Sequence, residues 1–471
     1  MLTSAILASI AFCFPQAGTV PPAASPAQAP NVQAIVGANL IDGTGSKPLL
    51  SSVIVVVDGR IQAIGKLDGN KTVTLTGEPL SIPAGAHRLF AKNKWIIPGL
   101  IDSHVHIDEV LDPAEFTQYG VTCVRDVGSR LSSIQKLRKR ASSDPRVPQV
   151  LWMGRNIDEG KASWWGAVAA KNTADVPRVI DEMERQGVDG VKLYVNAGPS
   201  VTTEVIKQAH DRGWPVTAHL GKTTPLHAVL AGIDNLEHVS TLFLQFAPAA
   251  NKSTDADSWY KGYASAAGAN PHSPEALALL KFMARRGTIV TPTLISSTLP
   301  VLGKAAADDA YGDWAEISDA WRTDWARPYW DFMKTKGWKR SQIENAKLAI
   351  WNYNDYVHQI IKNGVPVIAG TDTPAPWVLP GASLLVELEM LVKAGMSPLE
   401  AIHSATGRPA TLMHRDDEFG IIAPGRVADF VILNGNPLTR FSDIHRIAGV
   451  YRSGNKVPKS SVAVQRTESK R

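Results

Sequence analysis

Two histidines stand one residue apart in the stretch "GLIDSHVHID", directly after the apolar run "KWIIPG". In a β-strand successive side chains alternate between faces, so His104 and His106 would project together from the end of one strand. Two imidazoles aimed at one point can ligate a metal ion, but they can also be no more than a polar strand end. The other strand ends decide between these two interpretations.

Four more residues of ligand type follow other strand-like runs: Lys192 in "VKLY", His219 in "TAHLG", His238 in "LEHVS" and Asp372 in "GTDT". Each alone has an ordinary structural explanation, such as a satisfied histidine, a salt-bridged lysine or an N-cap aspartate. Together with the first pair they make six candidates at the ends of five strands. This set favours a metal site.

The elements that position these residues alternate between strand and helix. Apolar strand-like runs recur between residues 95 and 415, separated by segments of helical periodicity such as "TADVPRVIDEMERQG". This alternation predicts an α/β fold with a TIM-like (β/α)8 barrel, whose active sites form at the C-terminal ends of the strands. A doubly wound open sheet is the alternative, which the missing glycine-rich phosphate loop after the first strand disfavours.

The two ends of the chain have a different, β-like pattern. Alternating Val/Ile runs with "DGTG" and "VDGR" turns occupy residues 31–94, and a matching block occupies residues 416–460. These blocks predict a small β-sandwich domain that is built from both chain ends around the barrel. We assign residues 1–30 to a signal peptide and linker, and residues 461–471 to a charged tail.

The composition is that of an ordinary globular protein, with 44% hydrophobic and 20% charged residues among 471. Lys and Arg total 49 against 44 Asp and Glu, and this thin excess argues against a nucleic-acid partner. After the leader, no segment is long and apolar enough for an integral membrane span. The modest net charge permits a homo-oligomer.

The first residues read "MLTSAILASIAFCF", followed by an Ala- and Pro-rich stretch. This pattern is typical of a cleaved signal peptide and predicts a periplasmic or secreted protein, although the apolar segment lacks a preceding Lys or Arg. A cytoplasmic location is the alternative. Removal of the leader would take Cys13 and leave Cys123, which lies within a strand-like run and is expected to pack in the core.

The motifs "PGLIDSHVH", "VKLY", "TAHLG", "LEHVS" and "AGTDTP" resemble the metal-dependent amidohydrolase superfamily, as does the tail "GIIAPGRVADFVILNGNPL". The nearest resemblance is to the imidazolonepropionase/prolidase-like branch, in its binuclear, carboxylated-lysine type. It implies two divalent metal ions, for which zinc is the best fit to histidine and carboxylate ligands. His104, His106 and Asp372 would hold one ion.

The resemblance further implies that His219 and His238 hold the other ion, with Lys192 as N6-carboxylysine bridging the two. Metal binding lowers the pKa of water to about 7, so a metal-bound hydroxide would attack the substrate carbonyl. Asp372 is the expected catalytic proton shuttle. A deaminase would usually use one metal without a bridging lysine, so Lys192 argues against that reaction. A catalytically inactive relative would lack ligands, and all six positions are filled.

The expected substrate is a small molecule with an amide bond, such as a dipeptide or N-acyl amino acid. Hydrolysis of lactones, cyclic amides or organophosphate esters on the same two-metal site is the alternative. Candidate substrate-binding residues lie near the same strand ends: Tyr194, Arg155, Trp164 and Trp165. Each also has an ordinary structural explanation, as a rim tyrosine, a salt-bridged arginine or an anchor of the loop.

Overall fold

The structure is a computed structural model that describes residues 30–109, 112–163, 166–243, 246, 266–312 and 339–459. The strands within these ranges are β1 (Val32–Leu40), β2 (Leu49–Val57), β3 (Arg60–Asp68), β4 (Lys71–Thr74), β5 (His87–Phe90), β6 (Trp95–Pro98), β7 (Leu100–Val105), β8 (Val121–Asp126), β9 (Gln149–Trp152), β10 (Ile157–Glu159), β11 (Val168–Ala170), β12 (Val191–Leu193), β13 (Val216–Ala218), β14 (Asn235–Glu237), β15 (Ile289–Thr291), β16 (Phe430–Leu433), β17 (Ile447–Arg452) and β18 (Asn455–Lys456).

The α-helices of the described ranges are α1 (Ala114–Gln118), α2 (Leu131–Ala141), α3 (Val176–Gln186), α4 (Pro199–His210), α5 (Pro225–Ala231), α6 (Val239–Phe243), α7 (Pro274–Arg286), α8 (Leu294–Leu302), α9 (Lys304–Tyr311), α10 (Arg340–Lys362), α11 (Ala382–Lys393), α12 (Pro398–Ser404) and α13 (Gly407–Leu412). Helix α3 illustrates why such segments are helical. A proline lies in its first turn, Gly187 ends it with φ of 70°, and its apolar residues are buried along one face. None of the described helices combines the length and apolar character that a membrane span requires.

One sheet contains strands from both ends of the chain, in the order β18-β17-β16-β6-β1-β2-β3-β4, with β5 also paired to β1. Strand β16 pairs antiparallel with β6, so that Phe430 lies opposite Pro98 and Leu433 opposite Trp95. Its apolar residues form a separate core in which the rings of Phe430 and Tyr451 stack with centroids 4.6 Å apart. The two terminal blocks of the sequence therefore hydrogen-bond within one sheet, while the sandwich and its boundaries stay predictions.

The middle of the chain forms parallel strands that alternate with helices. One sheet has the order β7-β8-β9 and another the order β11-β10-β12-β13-β14-β15. Parallel bridges from Val290 to Val367 and from Val105 to Thr373 connect the last strand of the second sheet to β7 through residues 367–373. The fold is thus a mixed α/β fold with a curled parallel arrangement, and closure into an eight-stranded barrel stays a prediction.

Three local features depart from a simple alternation of one strand with one helix. The run "WIIPGLIDSHVH" forms two strands, because β6 pairs in the terminal sheet and β7 pairs with β8. They meet at Gly99, where an added Cβ would collide with the Thr122 side chain, so the turn requires glycine. In the run "VPVIAGTDT", Val367 and Thr373 form isolated bridges but no regular strand. After β9, the short strands β10 and β11 pair in parallel.

Candidate metal centre

His104 lies near the end of β7 and is almost completely buried, with 1% of its surface exposed. Its Nδ1 lies 2.8 Å from Oε2 of Glu237, the last residue of β14. Because the carboxylate accepts a hydrogen bond from Nδ1, the Nε2 lone pair is left to face the site. Nε2 lies 3.3 Å from Oδ1 of Asp372. The strand therefore delivers this imidazole in the tautomer that a metal ion requires.

His106 follows β7 directly, and its Nε2 lies 3.3 Å from the same Oδ1 of Asp372. The backbone holds both residues in place, since the N–H of Asp372 donates to the carbonyl of His104 and the N–H of His106 donates to that of Thr373. Asp372 has a φ of 60°, in the left-handed region that a non-glycine residue adopts only when its surroundings enforce it. The predicted histidine pair and the predicted aspartate thus converge.

The other two histidines lie beside this group. The ring centroid of His238 is 4.6 Å from that of His104 and 4.5 Å from that of His219. One ligating atom each from His104, His238 and Asp372 fit within 4.8 Å of one another, a spacing that one metal ion can span. His219 follows β13 and His238 follows β14, so neighbouring parallel strands supply the two rings.

Lys192 lies in the middle of β12, beside Thr217 of β13, and is buried with 1% of its surface exposed. Burial lowers the pKa of its ammonium to about 8, against the stabilising charges of Glu237 and Asp372. A neutral amine is therefore reached at a lower pH than in an exposed lysine. The charge of Lys192 also acts on His219 and His238, which places it electrostatically within the site.

Electrostatics give His219, His238 and Asp372 the protonation states that favour a cation. The pKa of His106 is raised instead, because burial, which lowers it, is outweighed by the hydrogen bond and the charge of Asp372. Burial lowers the pKa of His219 to about 3 and that of His238 well below 6.5, so both rings are neutral. Burial alone would raise the pKa of Asp372, but His104 and its neighbours hold that pKa well below 3.8. Neutral imidazoles around an ionised carboxylate match the ligand preferences of Zn²⁺. The residues present therefore fit a divalent metal ion.

A second layer of buried charge lies beneath the histidines, and the sequence analysis did not find it. Nη2 of Arg125 lies 2.6 Å from Oε1 of Glu237, and its Nε donates to the carbonyl of Ser103. Burial opposes ionisation of Glu237, but Arg125 and His104 hold its pKa well below 4.5. The available signals were a charged pair inside the apolar run "GVTCVRDVG" and the glutamate next to the histidine in "LEHVS".

Asp102, also missed, fixes the backbone on which Asp372 is mounted. Its Oδ1 accepts the N–H groups of His104 and Thr371, and its Oδ2 accepts the Thr371 hydroxyl. Nearby, a Cβ added to Gly370 would lie 2.9 Å from the Cβ of His104. The segment before Asp372 therefore approaches β7 as closely as a glycine allows.

The amidohydrolase family model matches residues 339–458, a range that includes Asp372. An uncharacterized protein of Mycobacterium tuberculosis is 26% identical over 376 residues, which cover 74% of this chain and 78% of that protein. The structure of a bottromycin amidohydrolase aligns with a TM-score of 0.68 at 20% identity, covering 90% of this chain and 87% of that one. An Xaa-Pro dipeptidase with methionine in its active site aligns with a TM-score of 0.62 at 20% identity, over 90% and 99% of the two chains.

The family-model match over residues 339–458 and the shared fold of these structures support placing the chain in the metal-dependent amidohydrolase superfamily. The same findings support a hydrolase that acts on carbon–nitrogen bonds. Asp372 is common to the range that the family model matches and to the candidate metal group.

The four residues predicted to bind the substrate have different surroundings in the structure. Tyr194 is partly buried, with its ring centroid 5.1 Å from that of His219. The guanidinium of Arg155 donates to the carbonyls of Gly166 and Ala167. It thus holds the loop after β10, and its contact with substrate stays a prediction. Trp164 and Trp165 lie outside the described residues.

Proposed function

We propose that this amidohydrolase uses two metal ions, at the strand ends of a (β/α)8 barrel, to cleave amide bonds of small substrates such as dipeptides or N-acyl amino acids. The observation that carries the proposal is the convergence of ligating atoms from His104, His238 and Asp372 within 4.8 Å. The similarity to an Xaa-Pro dipeptidase structure supports peptide-like substrates.

The donor set divides between two ions, which we propose to be zinc. His104, His106 and Asp372 would hold one ion. His219 and His238 would hold the other, and Lys192, carboxylated by CO₂, would bridge them. The bound ions would activate water as a nucleophile and polarise the scissile carbonyl. The buried position of Lys192 on a central strand supports this role, because a bridging carbamate needs an amine held between the two ligand groups.

Asp372 carries the proton in the proposed reaction. Its carboxylate is ionised and lies beside both histidines of the first pair, where it would accept a proton from the attacking water. The same carboxyl group would then donate that proton to the leaving nitrogen. Tyr194, beside His219, would contact the substrate carboxylate or the carbonyl oxygen.

Export to the periplasm or the outside of the cell is part of the proposal and is supported by the apolar N-terminal segment. In that location the enzyme would act on short peptides or acylated compounds outside the cytoplasm. Expression in a secretion-competent bacterial host, followed by fractionation and N-terminal sequencing, tests it. Full-length protein retained in the cytoplasm would contradict export.

The decisive experiment measures metal content and substrate range together. Protein purified without chelator and with bicarbonate should contain about two equivalents of zinc, as a paired site requires. It should hydrolyse members of a panel of dipeptides and N-acyl amino acids, and Asp372→Asn should reduce turnover by about 10²–10⁴-fold.

The same panel should include lactones and phosphotriesters. Turnover of these compounds alone would replace the amide substrate by the alternative class. A single equivalent of zinc would contradict the bridging role of Lys192.

A further inference from the structure

Thr293 stands at the N-cap position of helix α8, but its side chain does not cap that helix. A threonine at this position normally accepts a hydrogen bond from an N–H in the first helical turn. Here Thr293 has φ of 48° and ψ of 48°, and its side chain makes no capping bond. Its hydroxyl instead lies 2.7 Å from Nδ1 of His238.

Glu387 of helix α11 takes over the missing cap. Its two carboxylate oxygens accept the backbone N–H groups of Leu294 and Ile295, at 3.0 and 2.8 Å. Such a side-chain acceptor is favourable because the first N–H groups of a helix have no partner within the helix. The donors that Thr293 leaves without a side-chain acceptor are therefore satisfied by a residue from a different element.

Residues 291–293, which precede α8, contact the backbone of His238 as well as its ring. The N–H of His238 donates to the carbonyl of Thr291, and the N–H of Val239 donates to that of Pro292, at 2.8 and 3.1 Å. His238 itself has a φ of 60°. Such a conformation persists only where surrounding contacts over-determine it. The orientation of this ring therefore depends on where residues 291–293 lie.

We infer that Glu387 and Thr293 act together as positioning residues for His238, through the cap that Glu387 supplies to helix α8. The inference rests on the proposed metal site, in which His238 is a ligand. By holding the first N–H groups of α8, Glu387 leaves the Thr293 hydroxyl available to fix the imidazole. The ring then presents Nε2 to the metal.

The burial of Glu387 supports a role beyond helix capping. The residue is 0% exposed, and helices α8 and α11 pack together in an apolar cluster that includes Ile295, Leu299 and Val386. Placing a carboxyl group there carries a desolvation cost. Thr293 could cap α8 with its own hydroxyl, and no buried carboxyl group would then be needed. The arrangement is explained if the threonine hydroxyl is needed at His238.

Zinc affinity of the metal-free full-length protein, measured by competition with a chromophoric chelator, tests the inference. Thr293→Val removes the hydroxyl and keeps the shape, and Glu387→Gln removes one of the two backbone acceptors. Both variants should bind zinc about 10–100-fold more weakly at the site that contains His238. Loss of a residue that orients a metal ligand typically has an effect of this size. Thr293→Ser should restore the affinity of the wild type.

Glu389→Gln is the matched control. Glu389 lies on the same helix and pairs with His445 rather than with α8, so its loss should leave zinc affinity unchanged. Wild-type affinity in Thr293→Val would overturn the inference. Wild-type affinity in Glu387→Gln alone would also overturn it, because the carboxyl group would then not act on His238. Failure of the wild-type protein to bind zinc would instead overturn the proposed function.

Discussion

On one side of the site the His104 ring is held by the carboxylate of Glu237, whose charge is balanced by Arg125. On the other side the His238 ring is held by the neutral hydroxyl of Thr293, with Glu387 acting one step further away. Hydrogen bonds to an ionised partner are roughly twice as strong as neutral ones. The His104 side is therefore the more firmly fixed half.

The pKa values of the two buried glutamates, Glu237 and Glu387, also differ because among the described residues only Glu237 has a charged partner. Arg125 and His104 hold the pKa of Glu237 well below 4.5 despite its burial, whereas burial raises the pKa of Glu387 to about 8. A carboxyl group beside a guanidinium thus keeps its charge in the interior. One that receives only backbone N–H groups is protonated over much of the neutral range. The comparison shows that burial alone does not decide the charge of a supporting residue.

Lys192 should give the largest effect, because its charge acts on histidines of both halves. Lys192→Ala should lose most of the bound metal and reduce turnover by more than the 10–100-fold that loss of an orienting residue costs. Short carboxylates such as formate or acetate should restore part of the activity by replacing the bridge. Metal analysis and kinetics check this, with Lys222→Ala on an exposed position as control. Unchanged turnover would exclude a carbamate at Lys192.

Substitution of Arg125 tests whether its ion pair with Glu237 stabilises the side of the site that contains His104. Arg125→Met leaves the Glu237 carboxylate buried without its cation, and the free energy of unfolding should fall by about 3–5 kcal/mol. Because the double variant Arg125→Met/Glu237→Gln removes the unbalanced charge, it should recover part of that loss. Denaturant unfolding in the presence of a chelator measures both. A double variant no more stable than the single one would show that the guanidinium acts through its other contacts, with Ser103 and Asn235.

Glu387 should give the smallest effect, as a dependence of stability on pH. Burial raises its pKa from 4.5 to about 8, and the charge of Asp102 acts in the same direction. The folded chain keeps a proton that the unfolded chain releases, so the contribution of this group to stability falls as the pH rises between about 4.5 and about 8. In chelator, the wild type should lose stability relative to Glu387→Gln across that range. A difference that stays flat or grows with pH would contradict this assignment.

The sequence was most informative where residues that can ligate a metal recur at the ends of strand-like runs. Ligand-type residues at the ends of parallel strands predict a common edge, since the topology alone brings those ends together. His104, His238 and Asp372 are accordingly found together in space. The alternation of strands and helices likewise predicts the mixed α/β fold that the structure has.

What the sequence could not predict depends on contacts between distant segments. Glu237 and Arg125 are separated along the chain by strands and helices, and only folding makes them a pair. The division of "WIIPGLIDSHVH" at Gly99 depends on the Thr122 side chain, which blocks any Cβ at that point. Similarly, Thr293 looks like an ordinary N-cap until the position of His238 is known.

The pairing of β6 with β16 has a consequence for the order in which the chain is made. Strand β6 is synthesised early, and β16 leaves the ribosome only after every candidate metal ligand has been translated. Until then, the edge of β6 that β16 covers keeps its backbone N–H and C=O groups unpaired, and such an edge can pair with another chain. Since only Gly99 separates β6 from β7, the strand that carries His104 is tethered to this open edge throughout translation.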